Sequence, residues 1–268
     1  MHTSDTQNKD QSDGFNESQK QQKGHQIQFD QLKKLIDESE NIVFFGGAGV
    51  STESNIPDFR SQSGLFETLD KHAYPPETIL SHRFFMKHPE SFFAFYKEKM
   101  IYENAKPNAA HIALSLLEAR GKLKAVITQN IDGLHQMAGS KNVFELHGSI
   151  HRNNCMQCGK FYGLDKIIHS SNVPKCDVCG AIVKPDVVLY EESLDEQTIE
   201  GAIKAIQQAD LMIVGGTSLV VYPAAGLLDY YRGNKLVLIN KSKTSHDHRA
   251  LLQINAPIGE VLSYCVQK

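Results

Sequence analysis

Four short apolar runs recur along this chain, at Ile42–Phe45, Leu123–Ile127, Leu211–Val214 and Leu236–Ile239. Runs of this length, with little polar alternation, suit strands of a parallel sheet covered on both faces. Each run gives way at once to small, amide or hydroxyl residues: GGAGVST, TQNID, GGTS and NKS. Helical patterns fill the intervals. Residues 28–38 place Phe29, Leu32, Leu35 and Ile36 on one face, and further patterns lie at Asn108–Arg120, at Asp195–Gln208 and at Pro223–Tyr231. Strands alternating with helices predict an α/β fold, a Rossmann-like doubly wound parallel sheet. Such sheets bind ligands beyond the carboxyl ends of their strands. The four polar strand ends are therefore where a site is expected.

Two stretches break the alternation. Residues 64–107 carry Phe66, Phe84, Phe85, Phe92, Phe93, Phe95, Tyr96 and Tyr102 and predict a helical insertion with its own aromatic core. Residues 148–183 carry four of the five cysteines. The sequence-based division is a polar tail over 1–26, a nucleotide-binding domain built from 27–63, 108–147 and 184–268, the insertion at 64–107, and a small metal module at 148–183. The tail lacks the apolar stretch of a secretion signal, and no apolar run approaches the roughly 20 residues of a spanning helix. A cytoplasmic chain with reduced thiols is expected. The formal charge of -3 over 268 residues gives no reason to expect a nucleic-acid or membrane partner.

Cys155-x-x-Cys158 and Cys176-x-x-Cys179, with 17 intervening residues, have the spacing of a structural Zn²⁺ site. Both pairs end in glycine, which lets backbone N–H groups turn back toward the sulfurs. Four thiolates close the tetrahedron, leaving no position for a reactive water. An iron–sulfur centre or a redox pair is the alternative. Cys265, in an apolar stretch, is expected to be a buried core thiol.

The first strand end, Gly46–Ser61, supplies glycines and hydroxyls of the kind that bring backbone N–H groups to phosphates at a helix start. It lacks the third glycine of the dinucleotide fingerprint and continues into Ile56-Pro57-Asp58-Phe59-Arg60. A tightly packed glycine turn is the plainer reading. Gln129-Asn130-Ile131-Asp132 would offer amides and a carboxylate to a carboxamide or to sugar hydroxyls, or would simply cap the next helix. His147 stands just before the cysteine module and is a natural base near neutral pH; His135 and His151 are its rivals among twelve histidines. Gly215-Gly216-Thr217-Ser218 and Asn240-Lys241-Ser242 read as further places of close approach, or as plain loops.

Taken together, these segments resemble the sirtuin family, the NAD-dependent protein deacylases. The resemblance rests on GAGVSTESNIPDFR at Gly47–Arg60, TQNIDGLH at Thr128–His135, ELHGS at Glu145–Ser149, the two cysteine pairs, KPDVVLYEE at Lys184–Glu192, GGTSLVVYPAAGL at Gly215–Leu227 and INKS at Ile239–Ser242. It spans about residues 28–268. It implies a protein lysine deacetylase that consumes NAD and releases nicotinamide and O-acetyl-ADP-ribose, with structural zinc. Gly47, Ala48, Gly49, Thr52 and Asp58 would belong to the nucleotide loop, Phe59 would shield the ribose, and Arg60 would lie near the phosphates. Gln129 and Asn130 would steer the ribose, and Ile131 and Asp132 would hold the nicotinamide carboxamide. Gly216, Thr217 and Ser218 would meet phosphate and ribose, while Asn240 and Lys241 would border the adenosine. His147 would be the general base, with Asn130 the second catalytic residue. Acetyl-lysine peptides would add as a strand near Val187–Tyr190. A mono-ADP-ribosyltransferase and a non-enzymatic nucleotide sensor are the alternatives.

The chain departs from the family pattern at four places. Gly46 replaces a frequent threonine or serine, Asn55 replaces a frequent glycine, and Tyr190-Glu191 replaces a frequent Phe-Gly. A side chain at Glu191, beside Glu192, would restrict the peptide's path or repel acidic residues. Phe93-Ala94-Phe95-Tyr96 lacks the Tyr-x-x-Arg pair that reads acidic acyl groups, which predicts a preference for uncharged ones.

Overall fold

The computed structural model describes residues 24–59 and 74–267. The expectations for the tail up to residue 23, for Arg60 and for Phe66 lie outside the described residues. In chain order the strands are β1 Ile42–Gly46, β2 Leu123–Thr128, β3 Val143–Glu145, β4 Gly148–Cys155, β5 Phe161–Tyr162, β6 Val183–Val187, β7 Leu211–Gly215, β8 Leu236–Ile239 and β9 Leu252–Ile254. The helices are α1 24–37, α2 Pro76–Ile79, α3 His82–Lys87, α4 Pro89–Lys99, α5 Ala109–Ala119, α6 Leu134–Met137, α7 Leu164–Ile168, α8 Glu196–Gln208 and α9 Ile258–Val266.

The six-stranded sheet has the order β3-β2-β1-β7-β8-β9, with every pair parallel. Counted within that sheet, this is the 3-2-1-4-5-6 order of the doubly wound dinucleotide fold. β1 shows why its sequence is continuously apolar. Ile42 and Phe44 enter the core with α1, α5 and α9, while Val43 and Phe45 enter the opposite core with α8. α5 starts at Asn108, whose side chain accepts from Ala110 N at 2.9 Å while its own N–H donates to His111 Nδ1 at 3.2 Å. α8 starts at Asp195, which accepts from Thr198 N at 2.8 Å. Cys265 is buried, and burial pushes its thiol up to about 12. No helix among the described residues is long and apolar enough to cross a membrane.

Three expectations need correction. Residues 24–26, assigned to the tail, belong to α1, because Gln26 donates to Tyr264 Oη at 2.6 Å and so ties that first turn to α9. The pattern at Pro223–Tyr231 forms a 3-10 helix over Ala224–Tyr230 rather than an α-helix. The Ser/Thr-rich segment after the first glycine turn is two 3-10 turns, Ala48–Val50 and Thr52–Ser54. They end at Asn55, which sits in the left-handed region (φ 61°, ψ 26°) with Pro57 close behind. Asparagine tolerates that conformation, so the turn keeps its shape without glycine.

The second sheet, β5-β4-β6, is antiparallel. β6 spans Val183–Val187, so residues beyond the expected boundary at 184 belong to this sheet. The insertion and the cysteine module do not form separate cores. Phe84, Phe85, Phe92, Phe93, Phe95 and Tyr96 share one core with Ile150, Cys155, Ile167, Cys176, Val183 and Leu189. Phe85, Phe92 and Phe93 meet edge to face at centroid distances of 4.9 to 6.0 Å. Neither segment alone has enough apolar surface for a stable core, and together they make one small domain.

Candidate active site

The site forms where the carboxyl ends of β1, β2 and β7 meet the small domain. Gly47 N donates to Gly215 O at 3.3 Å, and Gly49 N donates to Gly216 O at 2.8 Å. These contacts require glycine. A Cβ at Gly49 would lie 2.7 Å from Gly216 Cα, and one at Gly216, where φ is +61°, would lie 2.4 Å from Val50 N. Changing Gly216 to alanine is therefore expected to destabilise the chain by about 1–3 kcal/mol from the left-handed backbone alone. Urea denaturation measures that loss, and calorimetric titration with NAD is expected to show weaker binding. Gly46 is also explained: a Cβ there would lie 2.7 Å from the Phe44 ring and 3.2 Å from Val50 Cγ2. Phe44 thus fills the space a threonine or serine would need.

The Gln129–Asp132 segment is held by groups that follow or end β1 and β7. Gln129 N donates to Gly46 O at 3.0 Å and Gln129 Nε2 to Thr217 Oγ1 at 3.1 Å. Asn130 is buried; its N–H meets Thr128 Oγ1 at 3.0 Å and its Nδ2 meets Ser51 Oγ at 3.0 Å. Ser51 in turn donates to Asp132 Oδ2 at 2.6 Å, and Asp132 Oδ1 accepts from Leu134 N at 2.9 Å. Ser51 is fully buried at the centre of this network, and the sequence reading passed over it. Its signal lay in a hydroxyl directly after a glycine turn, but only the fold sets it opposite Asn130.

Three histidines compete for the role of base, and their surroundings separate them. His135 is buried against His111, with ring centroids 4.7 Å apart, and burial lowers its pKa to about 3. His151 is exposed, with Nε2 3.1 Å from Asp132 O. His147 is partly buried at the joint between the domains, and its Nδ1 lies 2.9 Å from Gln129 O. Because a carbonyl only accepts, Nδ1 carries the proton and Nε2 is left as the basic nitrogen. Burial lowers the pKa of His147, and the bond to Gln129 O opposes that shift. The next residue, Gly148, has φ +75°, and a Cβ there would lie 1.9 Å from Asp186 O. The chain can therefore turn from His147 into the small sheet only through glycine.

Thr217 N donates to Asn240 Oδ1 at 3.0 Å, which fixes the orientation of that amide. Its Nδ2 is then a buried donor with no partner among the described residues. A ribose hydroxyl or a phosphate oxygen would satisfy it, so a dinucleotide fits the residues present. Phe59 and Ile131 both pack against the small-domain core. Ala48, Thr52 and Asp58 lie along the same first loop, Ser218 follows Thr217, and Lys241 follows Asn240.

The Sγ atoms of Cys155, Cys158, Cys176 and Cys179 all lie within 4.8 Å of one another. Cys155 and Cys179 are 3.3 Å apart, Cys158 and Cys176 3.6 Å, and none is in a disulfide. Four sulfurs at about 2.3 Å from one Zn²⁺ would sit about 3.8 Å apart, so the cluster fits a closed structural site. Cys158 N and Val178 N point back at Cys155 Sγ (3.5 Å) and Cys176 Sγ (3.4 Å), as the knuckle glycines predict.

Glu191 carries φ +75° where a glycine is frequent. Its carboxylate accepts from Arg83 N at 3.1 Å and lies 3.6 Å from the Arg83 guanidinium. Glu192 is bound by His82 at 2.8 Å, Lys184 at 3.1 Å and Leu189 N at 2.9 Å. Both carboxylates thus have cationic neighbours, which weakens the expected repulsion of acidic peptides.

Residues 47–223 match the model of the Sir2 family. The NAD-dependent protein deacetylase of Clostridium acetobutylicum is 65% identical over 233 residues, which cover 87% of this chain and 95% of that one. The protein of the same name from Clostridium tetani is 63% identical over 238 residues, covering 88% and 96%. Among solved structures, a Sir2 complex with a p53 peptide and NAD⁺ superposes with a TM-score of 0.75 at 41% identity, covering 87% of this chain and 94% of that one. A Sir2 protein bound to a propionylated peptide gives 0.76 at 42% identity, covering 87% and 94%.

Proposed function

This chain belongs to the Sir2 family, and we infer from its site that it is an NAD-dependent protein lysine deacetylase releasing nicotinamide and O-acetyl-ADP-ribose. The observation that carries this reading is the anchoring of His147 through Nδ1 to Gln129 O, which leaves Nε2 as an acceptor beside the Gln129–Asp132 segment. NAD supplies an electrophilic ribose carbon with a leaving group that is already cationic. The chain's own residues then have four tasks. Asn130, oriented by Thr128 and Ser51, presents its amide to the ribose. The Ile131–Asp132 segment holds the carboxamide of the departing group. His147 Nε2 takes a proton from a ribose hydroxyl, as a general base does. Asn240, Gly216, Thr217 and Ser218 hold the remainder of the dinucleotide. Zinc would stay with its four cysteines and stabilise the small domain.

The peptide site is supported by the hydrogen bonds around Val187–Tyr190. Val188 N donates to His147 O at 3.0 Å, Tyr190 N to Leu80 O at 3.0 Å, and His82 N to Tyr190 O at 2.9 Å. One edge of this segment is therefore already paired; on the other, Leu189 N donates to Glu192 Oε2 at 2.9 Å and Leu189 O accepts from Glu192 N at 3.0 Å, so an acetyl-lysine peptide adding along it would take the place of those local bonds. A cytoplasmic setting, where thiols stay reduced, suits a four-cysteine metal site without disulfides.

The acyl range follows from α4. Phe93, Phe95 and Tyr96 are buried in the aromatic core, and Lys97 is engaged by the carbonyls of Ser170 and Asn172. A carboxylated acyl group would find no cation at the Phe93–Tyr96 turn, and Lys99, the other lysine of this helix, is paired with Glu98, so such a group would be costly to bury there. Incubating the protein with NAD and acetyl-, butyryl- or succinyl-lysine peptides, read by mass spectrometry, tests both activity and range. Loss of acetyl and butyryl groups, with succinyl at least about ten-fold slower, is expected. Transfer of ADP-ribose to the peptide without acyl loss would replace this reading with that of an ADP-ribosyltransferase.

A further inference from the structure

The small sheet is interrupted where it faces the large domain. β4 and β6 pair at Gly148–Val187 and Ser149–Asp186, then again from Asn153–Pro185 onward. Asp186 and Pro185 are adjacent, so Ile150, His151 and Arg152 form an excursion with no partner on β6. Bulges of this kind re-aim side chains beside functional sites. Each of the three makes one bond to the large domain. Ile150 N donates to Ile131 O at 3.0 Å. His151 Nε2 lies 3.1 Å from Asp132 O. Arg152 bonds the Glu145 carboxylate at the end of β3 and, through Nε, Asp186 Oδ2 at 2.7 Å.

The His151 contact is the most specific of the three. Its acceptor is a carbonyl, so Nε2 carries the proton. The ring also packs on Gly133, whose φ is +72°, and a Cβ at that glycine would lie 2.7 Å from the ring Cδ2. Donor and ring edge together hold the peptide between Asp132 and Gly133. The Asp132 carboxylate is held in turn by Ser51 and Leu134 N.

We propose that the Ile150–Arg152 excursion is an inter-domain clamp on the Ile131–Gly133 segment, with His151 as a positioning residue for the nicotinamide carboxamide. The proposal rests on reading Ile131 and Asp132 as the nicotinamide subsite. The same strand begins directly after His147, so one piece of chain places both the base and the segment that receives the leaving group. Nicotinamide affinity thereby becomes sensitive to a residue on the opposite domain.

The test compares His151→Leu, which keeps bulk against Gly133 but removes the donor, with His151→Gln, which keeps a donor. Nicotinamide inhibition of deacetylation is measured alongside amide hydrogen exchange over residues 131–137 in the ligand-free protein. His151→Leu is expected to weaken nicotinamide inhibition about two- to twelve-fold, the range of one lost hydrogen bond. It is also expected to speed exchange in that segment at unchanged melting temperature, and His151→Gln to restore both. Unchanged exchange and inhibition in His151→Leu overturn the clamp. An equal loss in both variants with a lowered melting temperature also overturns it, in favour of a purely structural role. Absence of nicotinamide inhibition in the unmodified protein overturns the subsite reading itself, and is visible before any variant is made.

Discussion

Replacing His147 with alanine is expected to lower deacetylation by about 10²–10⁴-fold, the usual contribution of a positioned general base. The geometry makes the loss specific to chemistry. His147 meets the fold through its Nδ1 bond to Gln129 O and its backbone carbonyl, which accepts from Val188 N. The second contact survives in alanine, so the melting temperature should change little. The pH profile supplies an independent check. Burial lowers the pKa of His147 below the ordinary value of about 6.5, so the neutral, basic form persists to lower pH. The rate, as kcat/KM, should therefore fall with acidification through an apparent pKa below about 6.5 and lie on a plateau near neutrality. A His147→Ala protein that turns over acetyl-peptide at the parental rate would refute the assignment of the base.

Removing zinc is expected to have the largest effect on stability. Structural Zn²⁺ sites have apparent binding energies of about 10–16 kcal/mol, against about 5–15 kcal/mol for the net stability of a whole domain. The effect should not stop at the cysteines. Cys155 and Cys176 belong to the same core as Phe85, Phe92, Phe93 and Tyr96, so loss of the knuckles exposes the aromatic helices as well. Cys176→Ala or exhaustive chelation should unfold the small domain, increase protease cleavage within 74–107 and 148–183, and abolish activity without a change in any NAD-contacting residue. Metal analysis should find about one zinc per chain before treatment, as a single four-thiolate site holds. A metal-free protein with the parental melting curve would show that the aromatic core suffices alone.

Much of the fold was legible in sequence because its cause is local. β1, β2, β7 and β8 announce themselves as apolar runs, since a parallel strand buried on both faces has no polar side to display. Asn108 and Asp195 mark helix starts because a side-chain oxygen there satisfies an otherwise unpaired N–H. The segment Thr52–Ser54 misled, because hydroxyls suit a 3-10 turn as well as a helix start. Whether the helix continues was decided further on, by Asn55 in the left-handed region and by Pro57.

In the site, residue types and spacing singled out the glycine turn, the Gln129–Asp132 segment, His147 and the four cysteines as candidates, because each chemistry demands particular atoms at particular intervals. Spacing could not separate His147 from His135 and His151, nor reveal Ser51 as the group between Asn130 and Asp132. It also could not join the aromatic insertion to the cysteine module, or send Ile150–Arg152 across to the large domain. Those outcomes depend on which distant segments lie within hydrogen-bonding or packing distance, a property of the assembled sheet and the domain joint at Gly148. From sequence alone came the class of the fold and the chemistry available at its strand ends. Tertiary structure separated the three imidazoles, because a single carbonyl partner sets the tautomer of His147 and burial lowers its pKa, neither of which follows from position in the chain.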